Sequence, residues 1–453
     1  MSSLRNVADL APAFSGRLLR PDDPGYDHAR RVHNGLVDKR PALIAQCRGM
    51  ADIADAVRLG RSLGGDIAIR GGGHNPAGRA TTDGGLVIDL SPMRAVMVDP
   101  VGRIARVQGG ALWKDVNRET QAYGLAVTGG AIGSTGVGGL TLGGGLGWLM
   151  ARLGMTLDNL RSVDLVLADG ALVRASHDEH GDLFWAVRGG GGNFGVAGGF
   201  EFQLHPVGPM LVGGLIAWPF DHAREVLHLY RDLTASASDD EMLFAAMLTA
   251  PDGVTKLIAI AAGHFGPAAA AQAAMVPLKT FGTPVLDTLQ PISYVDLNGM
   301  LDAAFPKGAL NYWKSHFVDR LTDEAIDALI DQFSRCPTPM GQLMLEHFHG
   351  AATRVPVTDT AYALRSDGFN VAIIAEWLDP AHNDACRGWA RQAYDAMQPF
   401  IGDRRYVNYL DDDDIVEASL VAVYGPNLPR LRQVKKKYDP DNVFRLNLNI
   451  PPA

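Results

Sequence analysis

Apolar and polar positions along this chain follow two different periods, and the change from one to the other divides it in two. Residues 52–64 set Ile53, Val57 and Leu63 at helical spacing before Gly64-Gly65, which predicts an amphipathic helix with a glycine stop. Short apolar runs at 66–70, 86–90, 95–98 and 104–108 predict strands, broken by Pro92 and by Pro100-Val101-Gly102. Residues 111–123 read as a helix closed by Gly124. Runs at 163–168 and 171–175 flank Asp169-Gly170, a hairpin signal, and 201–205 closes this half. From Gly213 onward, helical segments at 223–234, 267–276, 323–333 and 385–397 alternate with strands such as 344–348 and 371–376. That succession predicts an α+β domain with helices on one face of an antiparallel sheet. A last helix at 427–438 ends at Asp439-Pro440-Asp441. The segment after it, 444–451, carries Asn447-Leu448-Asn449 and is expected to return to the first half.

Composition narrows the class. A chain of 453 residues suits two domains, and 47% hydrophobic with 20% charged residues is a soluble globular balance. Forty-one basic against fifty acidic residues give −9, and the one dense basic tract is Lys435-Lys436-Lys437. Nucleic acid is excluded as a partner, since phosphate binding needs clustered positive charge. The three lysines read as a solvated helix end. Cys47, Cys336 and Cys386 are too few and too scattered for a disulfide framework. Residues 1–14 lack the apolar core of a secretion signal, no run is long enough to span a membrane, and there is no N-glycosylation sequon. A cytoplasmic protein without a membrane partner, monomer or homodimer, is expected.

The glycines change the picture further, because they cluster in loops. Gly71-Gly72-Gly73-His74-Asn75-Pro76-Ala77-Gly78 follows a predicted strand and can be neither helix nor sheet. Such a run lets main-chain N–H groups converge on an anion. A second run covers 129–140 and a third 189–195. Residues 190–195 fit the spacing of a dinucleotide-binding turn. However, they follow the helix-like stretch 182–188 and precede a strand, the reverse of the order that turn requires. If phosphates are held here, a different architecture holds them.

Several stretches in order resemble one family: Arg70-Gly-Gly-Gly-His74-Asn75, the strand 85–91, the run 136–147, Asp158-Asn159, 192–196, Tyr406-Val-Asn-Tyr409, and 438–444 leading to Asn447-Leu-Asn-Ile450. Together they resemble the berberine bridge enzyme-like FAD-linked oxidases of the vanillyl-alcohol oxidase superfamily, in particular the bacterial branch that includes 6-hydroxy-D-nicotine oxidase. The resemblance implies a PCMH-type FAD-binding domain over 1–206, an antiparallel-sheet substrate domain over 207–425, and a segment 426–453 returning to the first. It implies FAD bonded through its 8α-methyl to His74. The family's second, cysteinyl link falls on Ile132, so a single bond is expected. The cofactor contacts it implies are Arg70, Gly71, Gly72, Gly73, Asn75 and Gly78 in the first loop, and Ser91 after the strand. Gly130, Ser134, Thr135, Gly138, Gly139, Leu140 and Gly144 follow in the second loop, then Asn193, Gly195 and Val196, and lastly Asn408, Asn447 and Asn449. Thr135 falls where relatives gate oxygen.

In the substrate half the resemblance assigns the base to Tyr409, which needs help to ionise because an ordinary tyrosine titrates near ~10. A glutamate that some relatives use maps onto Asn370. Glu346, on the neighbouring strand with Phe348, is expected to face the cavity as an amine-binding group or base, with Tyr406 nearby. His347 and His349 point the other way and are not expected to bind metal. Asp411 to Asp414 reads as a solvated acidic loop. The activity expected is an oxidase that takes a hydride from a small alcohol, amine, phenol or sugar and turns O₂ into H₂O₂. The alternative is a dehydrogenase or reductase with another acceptor.

Overall fold

The computed structural model describes residues 14–414 and 416–453; residues 1–13, read above as carrying no secretion signal, lie outside the described residues. Near the start, β1 (Arg17–Leu19), β2 (Leu43–Gln46), β3 (Ile67–Arg70) and β4 (Leu86–Asp89) form a four-stranded sheet in the order β1-β2-β4-β3. β4 runs parallel to both β2 and β3. Its four residues are all buried: Leu86, Val87 and Ile88 as an apolar run in a covered parallel sheet, and Asp89 against Arg70. β5 (Val96–Asp99), β6 (Ile104–Gln108), β8 (Leu160–Val166), β9 (Leu172–Ser176) and β10 (Val196–Gln203) form a five-stranded antiparallel sheet, while β7 (Leu125–Ala126) and β11 (His205–Pro206) pair as a short ribbon. The Asp169-Gly170 hairpin is present, with Gly170 at φ 83 joining β8 to β9.

The later residues build one eight-stranded sheet from β12 (Met210–Pro219), β13 (Glu241–Thr249), β14 (Lys256–His264), β15 (Leu286–Asp287), β16 (Gln290–Ser293), β17 (Leu310–Val318), β18 (Gln342–Phe348) and β19 (Gly368–Trp377). Every pairing in it is antiparallel. The helices Ala223–Thr234, Ala268–Thr280, Asp323–Ser334 and Asn383–Ala396 bury their apolar stripes on one face, against residues such as Val371, Ile373 and Ala375. The opposite face meets the first half of the chain through Trp148, Phe244, Tyr294, Phe348 and Tyr406.

Helices differ from the reading at several places, among them Val137–Leu142, which begins inside the second glycine run. The segment expected to stop at Val276 runs on through Pro277 to Thr280, because a proline near the last turn costs a single ladder bond. Glu417–Tyr424, unassigned above, is helical. The lysine tract is not uniformly solvated: Lys435 is fully buried and pairs with Asp439 at 2.6 Å, while Lys437 reaches Asp182 on the surface. The helix Leu428–Tyr438 carrying them packs on Gly181–Val187, and Leu431, Val434, Leu448 and Ile450 enter the core of the five-stranded sheet. Among the described residues, no helix is long and apolar enough to cross a membrane.

Candidate active site

A single cavity runs from the glycine loops to the inner face of the large sheet. β3 delivers the chain into the first loop, whose backbone crosses that of the second. A Cβ on Gly72 would lie 2.4 Å from Gly136 N, so neither loop accepts a side chain there. Among the described residues, the amides of Gly72, Gly73, His74 and Asn75 donate to no protein acceptor, and nor do those of Gly192 and Asn193. A cavity edged by free N–H groups is a seat for anionic oxygens. Ile67, Ile69, Leu90 and Ala197 line an apolar part of it, suited to a flat ring. Donor set and shape both fit a dinucleotide such as FAD.

Of the predicted cofactor residues, Gly71, Gly72, Gly73, His74, Asn75, Gly130, Thr135, Gly138, Gly139, Leu140, Asn193, Gly195, Asn408 and Asn447 line the cavity. The others serve the cradle from behind or lie apart from it. Arg70 binds Asp89 at 2.6 Å, and that carboxylate also accepts from Gln46 and the Ser91 N–H. Ser91 itself is exposed, so its expected cofactor contact is corrected to this cap. Gly78 turns at φ 65 beneath Val37, and Gly144 at φ 131 leaves room for Tyr362. Val196 starts β10, and Asn449 keeps a buried Oδ1 without a partner.

His74 is held on two sides. Ser134 Oγ lies 2.8 Å from its Nε2, and the ring of His33 stacks on it. Burial pushes the His74 imidazole down to about 3, so it is neutral at physiological pH. Ile132 lines the cavity wall, and none of the three cysteines does.

On the sheet side, Tyr409 lines the cavity and donates to Glu346 Oε1 at 2.9 Å. Asn370 Nδ2 donates to the other oxygen at 2.6 Å, across the register pair Glu346↔Asn370 of β18 and β19. Glu346 and Asn370 therefore sit behind Tyr409 and not on the cavity wall, a correction to both. Burial raises Glu346 to about 7, against the two hydrogen bonds, which lower it. Burial, then the nearby carboxylate, hold Tyr409 well above the ordinary tyrosine value. A standing tyrosinate at Tyr409 is thus disfavoured. Phe348 packs edge-on against Phe317 and Tyr406, in the core. Tyr406 presents its ring to the cavity, but its hydroxyl accepts from the Gly145 and Leu146 amides and from Asn408 Nδ2. It clips the chain just after the second glycine loop to the segment bearing Tyr409.

The acidic loop is also corrected. Asp411 accepts from the Trp313 N–H, and Asp413 and Asp414 pair with Lys314 at 2.6 and 2.9 Å. The loop thereby anchors the segment bearing Tyr409 to β17. His347 and His349 stack on each other away from the cavity, with His347 3.5 Å from Asp367.

Sequence reasoning missed His33, Asn34, Arg79, Phe305, Asn311 and Trp313, all of which line the cavity. For Asn311 and Trp313 a signal existed, since they alternate along β17 with Tyr312 on the other face. Trp313 meets Tyr409 edge-on at 5.3 Å. Asn34 ties Pro76 O to the backbone of Asn311, joining the first loop to the sheet.

A parallel-and-antiparallel cradle of glycine loops facing a large antiparallel sheet, with a buried acid at the junction, is an arrangement that fits a flavin-dependent oxidoreductase. Residues 41–176 match the family described as FAD binding domain, and 405–451 match that described as berberine and berberine like. The chain is 33% identical to (R)-6-hydroxynicotine oxidase of Paenarthrobacter nicotinovorans, covering 97% of each. It is 31% identical to an FAD-linked oxidoreductase of Dictyostelium discoideum, covering 98% of this chain and 97% of that one. The solved structure of 6-hydroxy-D-nicotine oxidase from Arthrobacter nicotinovorans superposes with a TM-score of 0.86 at 29% identity, over 97% of this chain and 99% of the other. The chain belongs to the berberine bridge enzyme-like FAD-linked oxidoreductases.

Proposed function

We propose that this protein is a cytoplasmic oxidase that removes a hydride from a small alcohol, amine, phenol or sugar and passes the electrons to O₂, with its FAD bonded once, to His74. The observation that carries the reading is the pair formed by Tyr409 and Glu346. It sets a hydroxyl on the cavity wall and a proton acceptor directly behind it. When bound, FAD supplies the two-electron acceptor. The rest falls to the chain's own residues. A substrate hydroxyl or amine placed at Tyr409 Oη gives up its proton there, while the Tyr409 proton moves to Glu346 Oε1. Asn370 steadies the carboxylate in the orientation that receives it. Relay through a neutral tyrosine avoids forming a buried phenolate and carboxylate side by side. Trp313, Phe305 and Ile132 close the apolar side and exclude water.

At His74, Nε2 lies 2.8 Å from Ser134 Oγ; the tautomer that donates Nε2–H to this hydroxyl is the one whose Nδ1 lone pair is free, and a neutral ring can use it. The relatives named above as an oxidase and as an FAD-linked oxidoreductase support the reaction type. Anaerobic titration with a panel of small alcohols, amines, phenols and sugars should bleach the flavin absorbance, and readmitted air should restore it with one H₂O₂ per turnover. Bleaching that air does not reverse, but an artificial electron acceptor does, would make the protein a dehydrogenase.

A further inference from the structure

His33 belongs to none of the motifs above, yet its ring lies 3.9 Å from that of His74, centroid to centroid, with the planes 24° apart. Its backbone is fixed from both sides: the His33 N–H donates to Gly73 O at 2.9 Å, and His33 O accepts from the Gly308 N–H at 2.8 Å. One bond runs to the first glycine loop and the other to the turn that precedes β17. The ring is buried, lines the cavity and is held neutral by burial and by Lys307.

The terminal torsion of a histidine is broad, so the ring rolls easily about its last bond. Ser134 restrains the edge of His74 in the plane of the ring, and a single hydrogen bond leaves that roll free. The His33 face removes it. We infer that His33 is a positioning residue for cofactor attachment, its stacked ring fixing the plane in which His74 Nδ1 meets the flavin 8α carbon. This rests on the attachment reading above. Attachment forms one N–C bond and takes one hydrogen from the imidazole and one from the flavin methyl group. O₂ accepts both with their electrons and leaves as H₂O₂. Alignment is what such a bond-forming step is most sensitive to, since a displacement of ~1 Å costs about 10²-fold.

The test compares wild type with His33→Ala, His33→Gln and His33→Phe, each purified as holoenzyme. Total flavin is read from absorbance, and the attached fraction from intact mass and from colour retained after acid precipitation. The attachment rate is followed on proteins expressed in riboflavin-limited cells and then supplied with FAD. Wild type and His33→Phe should attach fully. His33→Ala and His33→Gln should bind FAD but attach it about 10²-fold more slowly. An alanine variant that attaches at the wild-type rate overturns the proposal alone, as does a phenylalanine variant as slow as alanine. Wild-type flavin released entirely by acid overturns the attachment reading, and this proposal with it.

Discussion

Glu346 illustrates how far one side chain departs from its type. A surface glutamate is ionised at neutral pH; here burial lifts the carboxyl to about 7 and leaves Asn370 and Tyr409 as its hydrogen-bond partners. A base must be deprotonated to work, so kcat/KM should rise as pH passes through about 7 and then level off. Glu346→Gln should lower flavin reduction by at least ~10²-fold and abolish that rise, as read by stopped-flow absorbance across pH. A second buried carboxyl, Glu376, has neither oxygen partnered and is raised to about 8. Both carboxyls titrate above their unfolded values. Their contribution to stability is therefore full below the unfolded value and is lost as pH climbs through the folded one. Thermal midpoints should fall between about pH 5 and 9, and Glu376→Gln should flatten the fall. Motifs pointed to Tyr409 and His74 because they sit in stretches with their own spacing. Asn311 and Trp313 sit in an ordinary strand, where only the alternation says which face they take.

The glycine loops were legible at the scale of elements because no helix or strand can hold Gly71-Gly72-Gly73. What the reading lacked was their crossing: Gly72 and Gly136 lie too far apart in the chain for local pattern to join them. Gly72→Ala forces a Cβ against the second loop, and with backbone on both sides neither can yield. That variant should purify without yellow colour and take up no FAD in an equilibrium titration. Strand periods likewise placed β18 and β19, with Glu346 and Phe348 on one face and His347 on the other. Period alone does not say how deep a residue lies, and so Glu346 and Asn370 were expected on the cavity wall when they stand behind Tyr409.

At the scale of the molecule, two buried cations, Arg365 and Lys435, join distant parts of the chain. Arg365 clasps Asp158 with two 2.7 Å bonds, fixing the segment after the second glycine loop to the approach to β19. Lys435 binds Asp439, Asn193 O and Phe444 O, so one ammonium holds the third glycine loop and the last segment together. Lys435→Met strands the Asp439 carboxylate and should cost about 3–5 kcal/mol, measured by denaturant unfolding of the holoenzyme. The helix bearing this lysine was legible; its burial was not, because three adjacent lysines look alike until a helix face is assigned.

The tail's return has a consequence for how the protein matures. Phe444, Leu446, Asn447 and Leu448 form part of the cavity wall, so a ribosome still holding them cannot release a chain able to grip its coenzyme. Loading must wait until this segment has emerged and folded back, and a yellow molecule has by that fact passed its own inspection.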